Sequence, residues 1–405
     1  MRGRRLSTQS FSIGGPGDCG QDVEVRPAVR NVTSLHFSPA HAGHLTVTTA
    51  GGLLKLWELR GCGGAGQPLQ ALPRASSAHL RPLRCSAWRP DGRALFAGDA
   101  RGAVLRWDLA TGAVARVADA QAQVREVFYV AELGAILAVG ADRSLRLVDP
   151  REDGAASSCG ELRERPTAAA LSFPTAAIAM RCRYVTLFDL RAGGNPGRTR
   201  QWGPSWGETT CLAAAPGGAS VLCGSSTGNA ATISLDGHGK MDATLFKPHR
   251  GRPLSWLGAH PTGRLFATAG EGRYKFWCAS GDALCCVRRS RNCGGTLWGG
   301  SFSTTGETFA YAARVSDPAK MAPFGDRGDR VAIHAVTEDE LACPEVEEDE
   351  GGGWGEAGGM EVVTVVRGMR KMDLYSPEDA GEGFDFSTAL TRGMEGMEIG
   401  EAGRE

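Results

Sequence analysis

Twelve cysteines and eight histidines are the side chains of this 405-residue chain best suited to nucleophilic or metal chemistry, and their spacing argues against both. Cys278, Cys285, Cys286 and Cys293 lie close together, yet no two cysteines stand in the Cys-x-x-Cys spacing that a structural zinc centre draws on. Single cysteines within strands act as small buried hydrophobes, which implies reduced thiols and a cytosolic or nuclear compartment. His36, His41 and His44 gather around one turn and are expected to be exposed loop histidines, not a metal trio. No glycine-rich phosphate loop followed by Lys-Ser/Thr and no His-Glu-x-x-His motif occurs. The expectation is a chain without cofactor or metal that is not an enzyme.

The elements that carry these residues repeat. Leu54-Lys-Leu-Trp57, Leu105-Arg-Trp107, Leu145-Arg-Leu-Val148, Val185-Thr-Leu-Phe188 and Tyr274-Lys-Phe-Trp277 are versions of one phrase, spaced by 50, 41, 40 and 89 residues. The last interval has room for one degenerate copy, ending at Ala231-Thr-Ile-Ser-Leu235. A period near 40–45 residues with four short strands per unit indicates an all-β, seven-bladed WD40 β-propeller. The first two copies start near Thr33 and Leu83, and further copies near Val124, Thr167, Thr209, Leu254 and Thr296. Asp91-Gly92 between alternating runs is a hairpin signal.

Trp57, Trp107, Phe188 and Trp277 occupy the repeat aromatic position. His79 is placed to join Trp107 in a buried hydrogen-bond chain, and Asp142 stands where the turn aspartate of such a chain belongs. No copy displays the complete set, so apolar packing between blades must carry more of the stability. Closing a ring leaves an outer edge exposed. The segment Asp22-Val-Glu-Val25 alternates correctly to pair with the last blade beside Thr308–Ala312 and Arg330–His334.

Charge divides the chain. Residues 338–405 carry 19 acidic and 5 basic side chains of the 45 of each sign, leaving 26 acidic and 40 basic in the remainder. The zero total therefore conceals a basic disc and an acidic tail, a pattern that points to a polyanionic or acidic partner, or to a tail that shields the disc. The expected organisation is a flexible leader at 1–21, the propeller at 22–337 and a Gly/Glu/Met-rich tail at 338–405, mostly disordered because it offers little apolar surface. Within the tail, Val362-Val-Thr-Val-Val366 is a candidate strand or docking peptide. No run of about 18 apolar residues exists to insert into a membrane.

Three phrases carry a resemblance to a known family. Gly263-Arg-Leu-Phe-Ala-Thr-Ala-Gly270, Gly272-Arg-Tyr-Lys-Phe-Trp277 and Phe302-Ser-Thr-Thr-Gly-Glu-Thr-Phe-Ala-Tyr-Ala312 resemble the last two blades of the Rae-type mRNA export factor of the nuclear pore. Phe246-Lys-Pro-His-Arg250 resembles that family's Phe-Lys-Cys-His-Arg. A sister family, the mitotic-checkpoint propeller of kinetochores, shares the latter phrase. The resemblance implies a non-enzymatic scaffold, monomeric within a larger complex, that grips a short acidic nucleoporin segment and has a basic face able to meet RNA. It implies a place at the nucleus, the nuclear envelope and pore, and the cytoplasm. The family's tryptophans in blades one and three and its arginine in blade five are replaced by Ala50, Ala141 and Thr210. Lys247, Arg250, Tyr274 and Lys320, the last in the Arg314–Arg330 loop, are the remaining candidates for a partner-binding rim.

Overall fold

The computed structural model describes residues 22–342, apart from 26–28, 62–68, 121, 152–155, 193–194, 236–242, 250, 264, 271, 281–282, 291–292, 294 and 315–328, and then residues 361–364. Seven antiparallel sheets follow one another along the chain. Their innermost strands are Val32–Phe37, Leu83–Trp88, Val124–Val130, Pro166–Ser172, Thr209–Ala214, Leu254–Ala259 and Thr296–Phe302, each packed against the next. These starts match the expected copies, and the seven-bladed propeller is the observed fold.

Each blade is apolar on both faces because neighbours cover both. Seven buried clusters result, most of them shared by adjacent blades, such as the one that joins Ala177, Val185 and Leu187 to Val221, Cys223 and Ile233. Trp57, Trp107, Phe188 and Trp277 are all buried there. Blade five has Ile233 in place of the repeat aromatic, and the volume is supplied from outside the repeat. Trp202 and Trp206, in the connection from blade four, stack at 4.1 Å and enter the same cluster. Trp206 Nε1 donates to Thr209 Oγ1 at 3.0 Å.

The buried polar chain forms most fully in blade six, not in blades two and three where His79 and Asp142 suggest it. Trp277 Nε1 donates to the Thr268 hydroxyl at 2.9 Å, and that hydroxyl lies 3.0 Å from His249 Nε2. Lys275 donates to the Pro248 carbonyl at 2.9 Å and sits 5.2 Å from the Trp277 ring. The Phe246-to-Arg250 phrase thus serves the fold, since Phe246, Pro248 and His249 all anchor blade six. Thr268→Val is expected to strand two buried groups and to lower unfolding free energy by about 1–3 kcal/mol, checked by denaturant titration. In blade two, His79 Nε2 instead faces Asp99 at 3.4 Å, while Nε1 of Trp107 has no hydrogen-bond partner among the described residues. Asp142 is exposed and holds its own turn, accepting from the Ser144 hydroxyl at 2.6 Å.

Ring closure uses the expected segment. Val23 pairs with Ile333 and Glu24 with Ala332, and Val25 N donates to the Val331 carbonyl at 2.8 Å. Asp22 then turns inward. Its carboxylate accepts from Tyr311 Oη at 2.6 Å, from His334 Nδ1 at 2.9 Å and from Tyr274 Oη at 3.3 Å. His334 Nε2 meets Glu340 at 3.0 Å, and Glu340 also bonds Arg288. Glu340 belongs to a short helix, Glu338–Leu341, held by a capping box on Thr337.

Three further expectations are corrected here. Tyr274 is fully buried in this clasp and lines no rim; its alternation places it in a strand but does not reveal which side faces a neighbouring blade. His36 lies within the Val32–Phe37 strand, not on a loop, and burial pushes its pKa down to about 4. Cys278 is disulfide-bonded, whereas Cys85, Cys159, Cys182, Cys211, Cys223, Cys285, Cys286 and Cys293 form no disulfide; pairing depends on Cα proximity that spacing alone does not encode. The tail run, expected as a strand or a docking peptide, does form a strand over Glu361–Thr364, the fifth of blade six. Its remainder, Val365 and Val366, lies outside the described residues, as do Arg250, Lys320 and the leader.

Candidate functional site

Antiparallel order fixes which loops share a face. The connections that enter each innermost strand and those that join the second strand to the third lie on one side, called here the entry face. The other two kinds of connection lie opposite.

A β-bulge interrupts the start of every innermost strand and adds one extra residue near its entry-face end: Thr33, Arg84, Arg125, Thr167, Thr210, Ser255 and Trp298. Several of these side chains tie one blade to the next. Arg125 Nη2 donates to the Thr167 carbonyl at 3.0 Å, and Ser255 bonds the Leu297 carbonyl. Thr210 bonds the carbonyls of Gly224, at 3.2 Å, and Leu254. Thr210 is therefore a lock between blades five and six.

Ala50 and Ala141 sit half-buried at equivalent positions of the second-to-third strand turns. Their amides donate to the Asn31 and Gln123 carbonyls, each at 2.8 Å, and Ala100, Arg181 and Ser226 hold the same place in blades two, four and five. Four of these five positions hold a small side chain, and blade four places Arg181 there.

What this face does carry is positive charge. Arg84, Arg101, Arg165 and Arg181 are exposed there, and none makes a side-chain hydrogen bond or ion pair among the described residues. Lys247 is exposed on the same face, in the connection from blade five to blade six. The acidic Glu126, on the innermost strand of blade three, does little to offset them, since burial raises its pKa to about 7 despite Arg125. The opposite face differs: Arg89, Arg106, Arg151 and Arg191 each pair with an aspartate two residues away, Asp91, Asp108, Asp149 and Asp189. Arginine is common on both sides, but these four on the entry face have no ion-pair partner among the described residues, with Glu164 and Glu208 in connections of the same face.

Two turns on this face also break a backbone rule. Five residues before the repeat position stand Gly52, Gly102, Gly228 and Gly272, all with positive φ. A Cβ at Gly52 would collide with the His79 carbonyl oxygen. Blades three and four place Arg143 and Arg183 there instead, at φ 70° and 64°. Left-handed geometry costs a non-glycine residue about 1–2 kcal/mol, so these turns hold arginine on the entry face against local preference.

Among the described residues no group of three His, Cys, Asp or Glu side chains is placed to hold a metal ion. Gly224-Ser-Ser-Thr-Gly228 spells the pattern of a nucleophile elbow, but it joins two antiparallel strands of blade five. Ser226 Oγ there accepts from Glu208 N at 3.0 Å, and the nearby His249 ring is bonded to Thr268.

Fold and face together define a seven-bladed WD40 propeller with one arginine-rich face. No family model matches the chain. It is 26% identical over 350 residues to the Poly(A)+ RNA export protein of Schizosaccharomyces pombe, covering 83% of this chain and 96% of that one. It is 27% identical over 302 residues to Protein RAE1 of Arabidopsis thaliana, covering 72% and 84%. The chain thus resembles the Rae-type mRNA export propellers along most of its length. Among solved structures, that of U3-55K superposes with a TM-score of 0.61 at 16% identity, over 78% of this chain and 98% of that one, which shows the fold.

Proposed function

We propose that this chain is a non-enzymatic scaffold of mRNA export that uses its entry face to hold a short acidic segment of a nucleoporin. The reading rests on Arg84, Arg101, Arg165 and Arg181, exposed on one face without an ion-pair partner among the described residues, in a chain one of whose relatives is named a poly(A)+ RNA export protein. It places the protein in the nucleus, at the nuclear envelope and pore, and in the cytoplasm, as one propeller within a larger complex. Direct contact with RNA phosphates is the second reading, supported by the same cations.

Ala50 and Ala141 shape the expected affinity. Aromatic anchors dominate most interfaces, and without them this face must rely on charge, which gives fast, salt-sensitive association. Fluorescence anisotropy of an acidic nucleoporin-type peptide and of an oligo(A) strand, each titrated with the full chain between ~50 and ~200 mM salt, tests this. Peptide binding that weakens steeply with salt is expected. Binding of oligo(A) alone would assign the face to RNA, and binding of neither at the lowest salt would sink both readings.

A further inference from the structure

Six of the seven outer strands carry features that resist pairing with another strand. Gln70–Ala78 contains Pro73 and Arg74, and Val114–Asp119 contains Arg116 and Asp119. Ala156–Glu161 ends in Gly160 and Glu161, and Asn195–Gln201 holds Pro196, Arg198 and Arg200. Ala243–Phe246 and Val23–Glu24 are four and two residues long. Proline, charge and shortness are the means by which exposed edges avoid other chains. The outer strand of blade six, Ala283–Arg289, has none of them over Ala283–Cys286, and its arginines come only after Val287.

Among the described residues it is also the only outer strand that carries an additional one. Glu361–Thr364 runs antiparallel to it, with Ala283 opposite Thr364, Leu284 opposite Val363, Cys285 opposite Val362 and Cys286 opposite Glu361. We infer that the outer edge of blade six is a strand-addition site, and that its resident occupant is this chain's own segment 361–364, bound in cis to keep the edge from a second copy.

Three observations select that occupant. The segment reads Glu-Val-Val-Thr, with three β-branched residues suited to a strand. The helix Glu338–Leu341 is already fastened to the same outer strand through Glu340 and Arg288, so the chain leaves beside the edge to which it returns. Residues 342–360 span the interval, and a short tether gives an intramolecular strand an effective concentration on the order of millimolar.

Hydrogen-exchange mass spectrometry on the full chain tests this. Val363→Pro, which sets a proline into this four-residue strand without touching the propeller, is expected to speed exchange over residues 283–287 by about tenfold or more while blades one to five stay unchanged. A synthetic peptide of residues 358–367 added to that variant should restore protection, and Val363→Ala should retain it. Equal exchange in wild type and Val363→Pro would overturn the inference, as would equal protection by a scrambled peptide. Wild-type protection that grows with protein concentration would seat a second copy on the edge in place of the tail and overturn it likewise. Polyanion binding at the entry face is not expected to change, so this result is separable from the functional reading.

Discussion

Replacement of His334 by alanine is expected to lower the unfolding free energy by about 3–5 kcal/mol, a cost typical of removing one partner from a buried ionic cluster. Both ring nitrogens of this buried histidine face carboxylates, Asp22 at 2.9 Å and Glu340 at 3.0 Å, so the imidazole is held as a cation. Its loss leaves two acids facing each other between blades six and seven, with Arg288 as the remaining cation in contact. Asp22 is the first residue of the closing segment, so the damage should concentrate on closure. Exchange at Val23–Val25 and Val331–Ile333 is expected to rise before that of the other blades. Uniform acceleration through the ring would refute a local clasp.

The same cluster sets a pH window. Burial alone would lower the pKa of His334, but hydrogen bonds to Asp22 and Glu340 outweigh it and the net shift is upward. Burial would raise Asp22 and Glu340, yet the His334 hydrogen bond and charge, with Tyr311 assisting at Asp22 and Arg288 at both, bring the two acids down. A raised histidine contributes stability below its unfolded value, lost as pH climbs through the folded one. Lowered acids contribute above their unfolded values, lost as pH falls through the folded ones. His36, pushed down to about 4, adds to the acid-side loss, since only the unfolded chain takes up its proton between about 6.5 and about 4. Tyr274 and Tyr311, raised by burial and by the Asp22 charge, stay neutral donors across this range. Wild type should therefore be most stable in the mildly acidic to neutral range, and His334→Ala should lose the alkaline limb of the profile in denaturant titrations.

The blade count, the starts of the innermost strands and the closing segment are legible in the sequence because each rests on a local signal: periodicity, a turn or an alternating run. The clasp is not. His334, Arg288 and Glu340 lie in different elements, and the Asp22 carboxylate that completes the cluster through His334 is more than 250 residues away in sequence. Tyr274 escapes correct placement for a related reason, because a strand on which both faces are covered gives no alternation from which to tell rim from interior. The rim positions Ala50, Ala141 and Thr210 follow from resemblance, whereas the basic face emerges only when topology sorts the loops onto two sides. Arg143 and Arg183 are an exception that a sequence can reveal: arginine five residues before the repeat position, where four other blades have glycine, marks a turn in which local preference gives way.

Charge reversal of three entry-face arginines, Arg101, Arg165 and Arg181 to Glu, is expected to weaken binding of an acidic peptide or oligonucleotide by roughly a hundredfold or more at low salt. Each site exchanges an attraction for a repulsion, about 1 kcal/mol or more apiece for charges a few ångströms apart near a protein surface. The dependence of affinity on salt should flatten by about three contacts' worth if the partner is nucleic acid. Stability should change by less than about 0.5 kcal/mol, because none of the three side chains has a partner among the described residues. The control is the same reversal at Arg89, Arg151 and Arg191 on the opposite face, where aspartates already neutralise the arginines. Net charge changes equally in both variants, so a loss confined to the first assigns recognition to the entry face. An equal loss in both would mean that only the overall field of the disc attracts the partner, and the entry face would then have no special claim to it.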